Sequence, residues 1–183
     1  MRASLAGLAA LLVLPGCGRA ATAAPPPGPP KYVATSCPAP GPAPSNQPYA
    51  TAIGPFGGAG GAIPDGFQPS WVLACPIEQR YLPGQGSWQV QVSERAELTT
   101  RQADALLAVL RTPSEPSSTD QVCAAVHGPM MLGPYYALVD RHGTALEPAL
   151  PTDACGEVDP DVAKALHDLP YRELSIRPEA PVS

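Results

Sequence analysis

Proline placement sets the tightest limit on what this chain can fold into. Of its 183 residues 26 are proline, and eleven of those, from Pro15 to Pro48, fall in the first 49. A proline has no N–H to give to a helix or a central strand and fixes its own φ at about −65°, so a stretch this dense in it cannot form the interior of a regular element. The region up to residue 69 is therefore expected to be disordered and Pro/Gly-rich. Roughly 115 residues remain beyond it, enough for one small domain. Charged residues are only 15 % and aromatics 5 % of the chain, which excludes a long charged coiled coil and an aromatic-rich binding face.

The opening residues read as an export signal. Met1-Arg2 is a short positive start, and Ala3 to Leu14 is an uncharged, mostly apolar run. It has the length of a signal-peptide core and is too short to cross a bilayer, which takes about 20 apolar residues. Leu14-Pro15-Gly16-Cys17 then resembles a bacterial lipobox, which implies diacylglycerol on the sulfur of Cys17 and a mature chain that starts there. Ordinary secretory cleavage after Ala21-Thr22-Ala23 is the alternative and would release a soluble protein. A buried N-terminal helix conflicts with Pro15, Gly16 and Gly18. The expected organisation is a signal peptide over 1–16, a lipid-anchor cysteine and tether over 17–69, and a disulfide-bonded domain over 70–178.

Cysteine number agrees with export. With Cys17 acylated or removed, Cys37, Cys75, Cys123 and Cys155 remain, and an even remainder in an oxidising compartment favours two disulfides. Three connectivities are open. Cys123 to Cys155 is favoured because the two flank an apolar hairpin, which leaves Cys37 to Cys75. A four-cysteine zinc site is disfavoured, since no C-x-x-C pair occurs. Cleavage before Cys17 removes Arg2, so ten basic groups face 16 acidic ones and the mature net charge is −6. With Lys31 and Lys164 the only lysines, there is no concentrated basic face for nucleic acid and no polybasic membrane clamp.

From Trp71 onward the pattern becomes regular. Trp71 to Cys75 is a short apolar run, Pro83-Gly84-Gln85-Gly86 is a turn, and Trp88, Val90 and Val92 alternate with Gln89, Gln91 and Ser93. That alternation predicts a β-hairpin with one wet face. Thr99 or Thr100 can cap the next segment, Gln102 can complete a capping box with Thr99, and Ala103, Leu106, Leu107 and Leu110 form a helical stripe that Pro113 ends. A polar loop over 112–120 follows. Tyr135 to Val139 is a second core strand, Asp140 to Gly143 a turn, and Thr144 to Glu147 the return. Asp159 caps and Pro160 opens a helix lined by Val162, Leu166 and Leu169. Tyr171 to Ile176 supplies an edge strand. The expectation is an α+β domain: one small antiparallel sheet of four or five strands in ββα-ββα order, with two helices on one face. Gly54 to Gly61, lacking a Lys-Ser/Thr pair and a strand-to-helix context, reads as a flexible linker and not a phosphate loop.

Two resemblances follow from these residues. The pattern from Trp71 to Pro170, with Cys75, Gly86-Ser87-Trp88, Glu94-Arg95-Ala96, Cys123, Pro134 to Asp140, Gly143 and Cys155-Gly156, resembles uncharacterised secreted or lipid-anchored proteins of actinomycetes. Separately, Pro129-Met130-Met131-Leu132-Gly133-Pro134 running into Tyr135 to Asp140 is similar to the reactive-site segment of streptomycete subtilisin inhibitors. These are secreted α+β domains with a five-stranded antiparallel sheet. The second resemblance implies that Met130 enters a protease primary pocket, that Met130-Met131 is the scissile bond, and that Cys155 helps pin the loop. The competing reading makes Met130, Met131 and Leu132 loop-to-core packing residues.

Other chemistry lacks its parts. No G-x-S-x-G occurs and the three histidines have no nucleophile to serve. His127, Met130, Met131 and His142 suggest copper only by residue type. Asp153, Glu157, Asp159 and Asp161 suit a solvated helix start, without EF-hand spacing. We therefore expect no enzyme, cofactor or metal. The expected role is that of a non-catalytic envelope lipoprotein, placed on the outer face of the cell membrane by the lipid on Cys17, with an envelope protein or a protease as partner; a secreted protease inhibitor is the alternative.

Overall fold

A computed structural model describes residues 24–38, 60–116, 123 and 134–181. Along the chain these form β1 (Lys31–Val33), β2 (Pro69–Cys75), β3 (Ile77–Leu82), β4 (Gly86–Glu97), α1 (Thr100–Leu110), β5 (Tyr135–Asp140), β6 (Ala145–Glu147), α2 (Pro160–His167) and β7 (Arg172–Pro181). The domain is α+β. Seven strands, not the four or five expected, make one open antiparallel sheet in the order β1-β6-β5-β2-β4-β3, with β7 also paired to β4.

The expected hairpin is present but longer, because β3 lies between its two arms. Ala74 faces Glu94 and Ile77 faces Gln91 in an unchanged register, so β2 and β3 are one long strand interrupted at Pro76. Proline has no N–H for the ladder; its carbonyl still accepts from the Val92 N–H at 2.9 Å. The turn closes where Gln85 N–H donates to the Leu82 carbonyl at 3.0 Å, with Gly84 at φ 75° and Gly86 at φ 85°. β7 runs along the other side of β4 with register shifts at Gln89/Val90 and Ser93/Glu94. It is the C-terminal edge strand, longer than the stretch read from sequence.

The capping signals act as read. Thr99 accepts from Gln102 N–H while the Gln102 side chain accepts from the Thr99 N–H, a complete capping box, and Asp159 accepts from the N–H groups of Asp161 and Val162 ahead of α2. Ala103, Leu106, Leu107 and Leu110 are buried along α1, as are Val162 and Leu166 along α2. These leucines and Val162 join Val72, Leu138 and Leu146 in one buried cluster, to which Leu169 packs partly. Val72, Leu138 and Leu146 share a row across three paired strands, so they define what we call the first face of the sheet.

The second face holds Leu73, Cys75, Tyr135 and Ala137, against which Val33, Cys37 and Trp71 pack. Arg95 stacks on the Trp71 ring here, its guanidinium 4.2 Å from the centroid. Three expectations are corrected at this point. The stretch over 17–69 is not spacer throughout: β1 pairs with β6, and Cys37 is joined by a disulfide to Cys75. The hairpin has no wet face at its centre, since Gln91 is only 2 % exposed and donates to the Pro38 carbonyl at 3.2 Å. Nor is the glycine run linker to its end. Gly61 N–H donates to the Glu147 carbonyl at 2.9 Å and Ala149 N–H to that of Gly61 at 2.9 Å, which threads the chain between β1 and the end of β6. A Cβ on Gly61 would lie 2.3 Å from the Lys31 nitrogen, so only glycine fits that approach.

Candidate functional site: the curled end of the long hairpin

Polar groups gather on the first face where the long hairpin runs past the buried cluster. Tyr136, Ala74, Glu94 and Glu173 stand in one row across β5, β2, β4 and β7. Glu78 and Arg80 of β3 share that face by strand alternation, Glu78 opposite Val90 and Arg80 opposite Trp88. Arg80 Nε donates to Glu78 at 2.8 Å and Arg80 Nη1 to Glu173 at 2.7 Å.

The second of these contacts reports the shape of the sheet. Arg80 is opposite Trp88, whereas Glu173 is opposite Glu94, six residues further along β4. Six extended residues span about 20 Å, beyond the reach of the two side chains together. The hairpin must therefore curl with its first face concave, and the register shifts between β4 and β7 supply the bend. The curl explains why Val90 and Val92 are fully buried although they lie outside the helix-lined cluster.

Charge within the curl is unbalanced, three carboxylates to one guanidinium. Hydrogen bonds to Glu173 and Glu78 raise the Arg80 pKa and hold it charged. Glu94 is raised first by burial and then by the negative charge of Glu78, with Arg80 opposing and Glu173 adding to the rise. Burial, reinforced by Glu94, pushes the Tyr136 phenol up to about 12, and burial beside Tyr136 and Glu94 raises that of Tyr171 further. The Tyr171 hydroxyl is buried without a hydrogen-bond partner. Both phenols keep their protons at neutral pH, so they are hydrogen-bond donors and not bases. Neither phenol is an activated nucleophile.

The residues singled out in the sequence fall elsewhere. Cys37 is bonded to Cys75 and Cys123 to Cys155. Ser93 Oγ contacts Cys37 Sγ at 3.0 Å. Cys17, His127, Met130 and Met131 lie outside the described residues. His142 is in the β5–β6 turn, where Arg141 Nε donates to its Nε2 at 3.0 Å. Asp153 accepts from the N–H groups of Cys155 and Glu157, so with Asp159 it has backbone work in the loop before α2. Among the described residues no group of three or more His, Cys, Asp or Glu side chains is placed to hold a metal ion, and no helix is long and apolar enough to cross a membrane. Sequence reading missed the Glu78–Arg80–Glu173–Glu94 group, because its outermost members are 95 positions apart in the chain and only the curl brings them together. In comparisons with known proteins, no family model, no curated protein and no solved structure matches this chain.

Proposed function

We propose that this chain is an exported cell-envelope lipoprotein, anchored through lipid on Cys17, whose domain is a non-catalytic binding module. The observation that carries the reading is the pairing of the cysteines. The two disulfides take Cys37, Cys75, Cys123 and Cys155, which leaves Cys17, the residue at the lipobox-like motif, outside both bonds. Two disulfides in so small a domain suit an oxidising compartment. We take the two helices to lie on the same face of the sheet, in two ββα units, a reading supported by the single cluster they share with Val72, Leu138 and Leu146. On this view the curled, net-negative end of the hairpin and the exposed strand β7 are the surfaces offered to another envelope component. Intact-mass analysis of protein from host membranes tests the proposal. Diacylglycerol on Cys17 with four sulfurs oxidised is the expected result, and Cys17→Ser should move the protein from the membrane to the medium. A full-length chain carrying free thiols in the cytosol would sink the reading.

A second reading, a subtilisin-type protease inhibitor with Met130-Met131 as its reactive site, is favoured by one observation. The Cys123–Cys155 disulfide brackets the chain that leads into β5, and a loop tied on both sides pays less ordering cost on binding. Absence of inhibition of any subtilisin-like protease at micromolar protein would dispose of it.

A further inference from the structure

We propose that the β1 edge of the domain is held against the phospholipid surface that carries the Cys17 anchor. The inference rests on the lipoprotein reading above. It starts from the length of the leash. Gly28, whose carbonyl accepts from Ala62 N–H at 2.8 Å, is bound to the domain, and only ten residues separate it from Cys17. Fully extended, that chain spans at most about 40 Å. A domain of this size is about 35 Å across. The point where the leash joins the domain therefore stays within about one domain diameter of the membrane, and the side from which the leash leaves is the near side.

Peeling of the leash is opposed by β1 and stops at Cys37. β1 pairs with β6 from Lys31 opposite Glu147 to Val33 opposite Ala145. Cys37 is covalently joined to Cys75 in the centre of the sheet. The tether thus leaves from an edge whose position is fixed at three points.

The chemistry of that edge suits a lipid headgroup layer. Residues 24–33 carry a single charge, Lys31, and it is paired with Glu147 at 2.7 Å. Pro25 to Pro30 are exposed, and Tyr32 is 62 % exposed. An exposed tyrosine ring is amphipathic and settles at the membrane–water interface. The mature chain as a whole has a net charge of −6, so its acidic parts are repelled by an anionic leaflet within about a Debye length, whereas the near-neutral β1 edge meets no such barrier.

The test uses acylated protein from host membranes in phosphatidylethanolamine–phosphatidylglycerol vesicles whose acyl chains carry bromine just below the headgroups. Tyr32 in β1 and Tyr81 near the turn end of β3, with β6, β5 and β2 between β1 and the line that β3 continues, are both well exposed, 62 % and 73 %. Tyr32→Trp and Tyr81→Trp are compared after subtracting the wild-type emission of Trp71 and Trp88. Tyr32→Trp should be quenched and blue-shifted, Tyr81→Trp should match wild type, and a long Gly/Ser insertion after Arg19 should abolish the quenching while the protein stays vesicle-bound. Equal quenching at both positions, none at either, or quenching that survives the insertion overturns the proposal. A mass spectrum without lipid on Cys17 removes the lipoprotein reading itself; lipid present with Tyr32→Trp unquenched removes only the apposition.

Discussion

At the scale of single residues, two positions show how neighbours redefine what a side chain costs. Gly61 sits where a Cβ would meet backbone atoms of Lys31, Pro29 and Pro30 at 2.3 to 2.8 Å, and backbone of a paired strand cannot step aside as a flexible side chain can. Gly61→Ala is expected to lower the unfolding free energy by about 2–3 kcal/mol in urea titrations, the range of overpacking. Gly28→Ala, with no atom within 4 Å of the added carbon, should stay within about 0.5 kcal/mol of wild type. Glu94 gives a pH signature. Its pKa is raised in the folded chain by burial and then by Glu78, so on raising pH the unfolded chain releases this proton first, and the group's contribution to stability falls through its folded pKa. Glu94→Gln should thus be more stable than wild type at neutral pH, with the difference vanishing near about pH 3, where the carboxyl is protonated in both states. A variant less stable at neutral pH would show that the ionised carboxylate is needed.

At the scale of elements, local rules hold where the deciding interactions lie within one turn. Thr99 and Gln102 satisfy each other across the first turn of α1, and such a pair is visible as a spacing of three in the sequence. Thr99→Ala should cost about 1 kcal/mol, read as a shift in the urea midpoint at constant slope. The same holds for Asp159 and Pro160 at α2 and for the Asp140 turn, where the Asp140 carboxylate accepts from His142 and Thr144 N–H at 2.8 Å. Elements whose reason is distant were not readable. β1 has three residues and no pattern of its own; it is a strand because β6 offers it an edge. β3 looks like a charged connector, since Glu78, Gln79, Arg80 and Tyr81 interrupt any apolar period, yet it continues the β2 register on β4. Gln91 reads as solvent-facing by alternation and is buried, donating to the carbonyl of Pro38 next to the Cys37 disulfide.

At the scale of the molecule, the core is thin and the cross-links matter. One buried cluster lies under α1 and α2, and among the described residues Val33 and Cys37 of the arm that is fastened to Cys75 pack against the cluster on the other face. The disulfides close separations of 38 and 32 residues, which by loop entropy corresponds to about 4 kcal/mol each, comparable with the whole stability of many small domains. Replacing Cys123 and Cys155 by Ala should lower the unfolding free energy by about 3–4 kcal/mol. Replacing Cys37 and Cys75 should in addition raise hydrogen exchange along β1, β5 and the Gly61 segment, because the arm then holds only by non-covalent contacts. Unchanged exchange there would mean that the β1–β6 pairing suffices by itself.

The sequence by itself determined the helices with their caps, the tight turns, the even set of cysteines and the apolar strand centres, since each depends on residues a few positions apart or on simple counting. Tertiary structure alone decided that part of a proline-rich stretch becomes a sheet edge, that a glutamine is buried, and that Glu78, Arg80, Glu94 and Glu173 meet. The physical reason is common to all three. Strand pairing and sheet curl join residues far apart in the chain, and no local period records which backbone will arrive alongside.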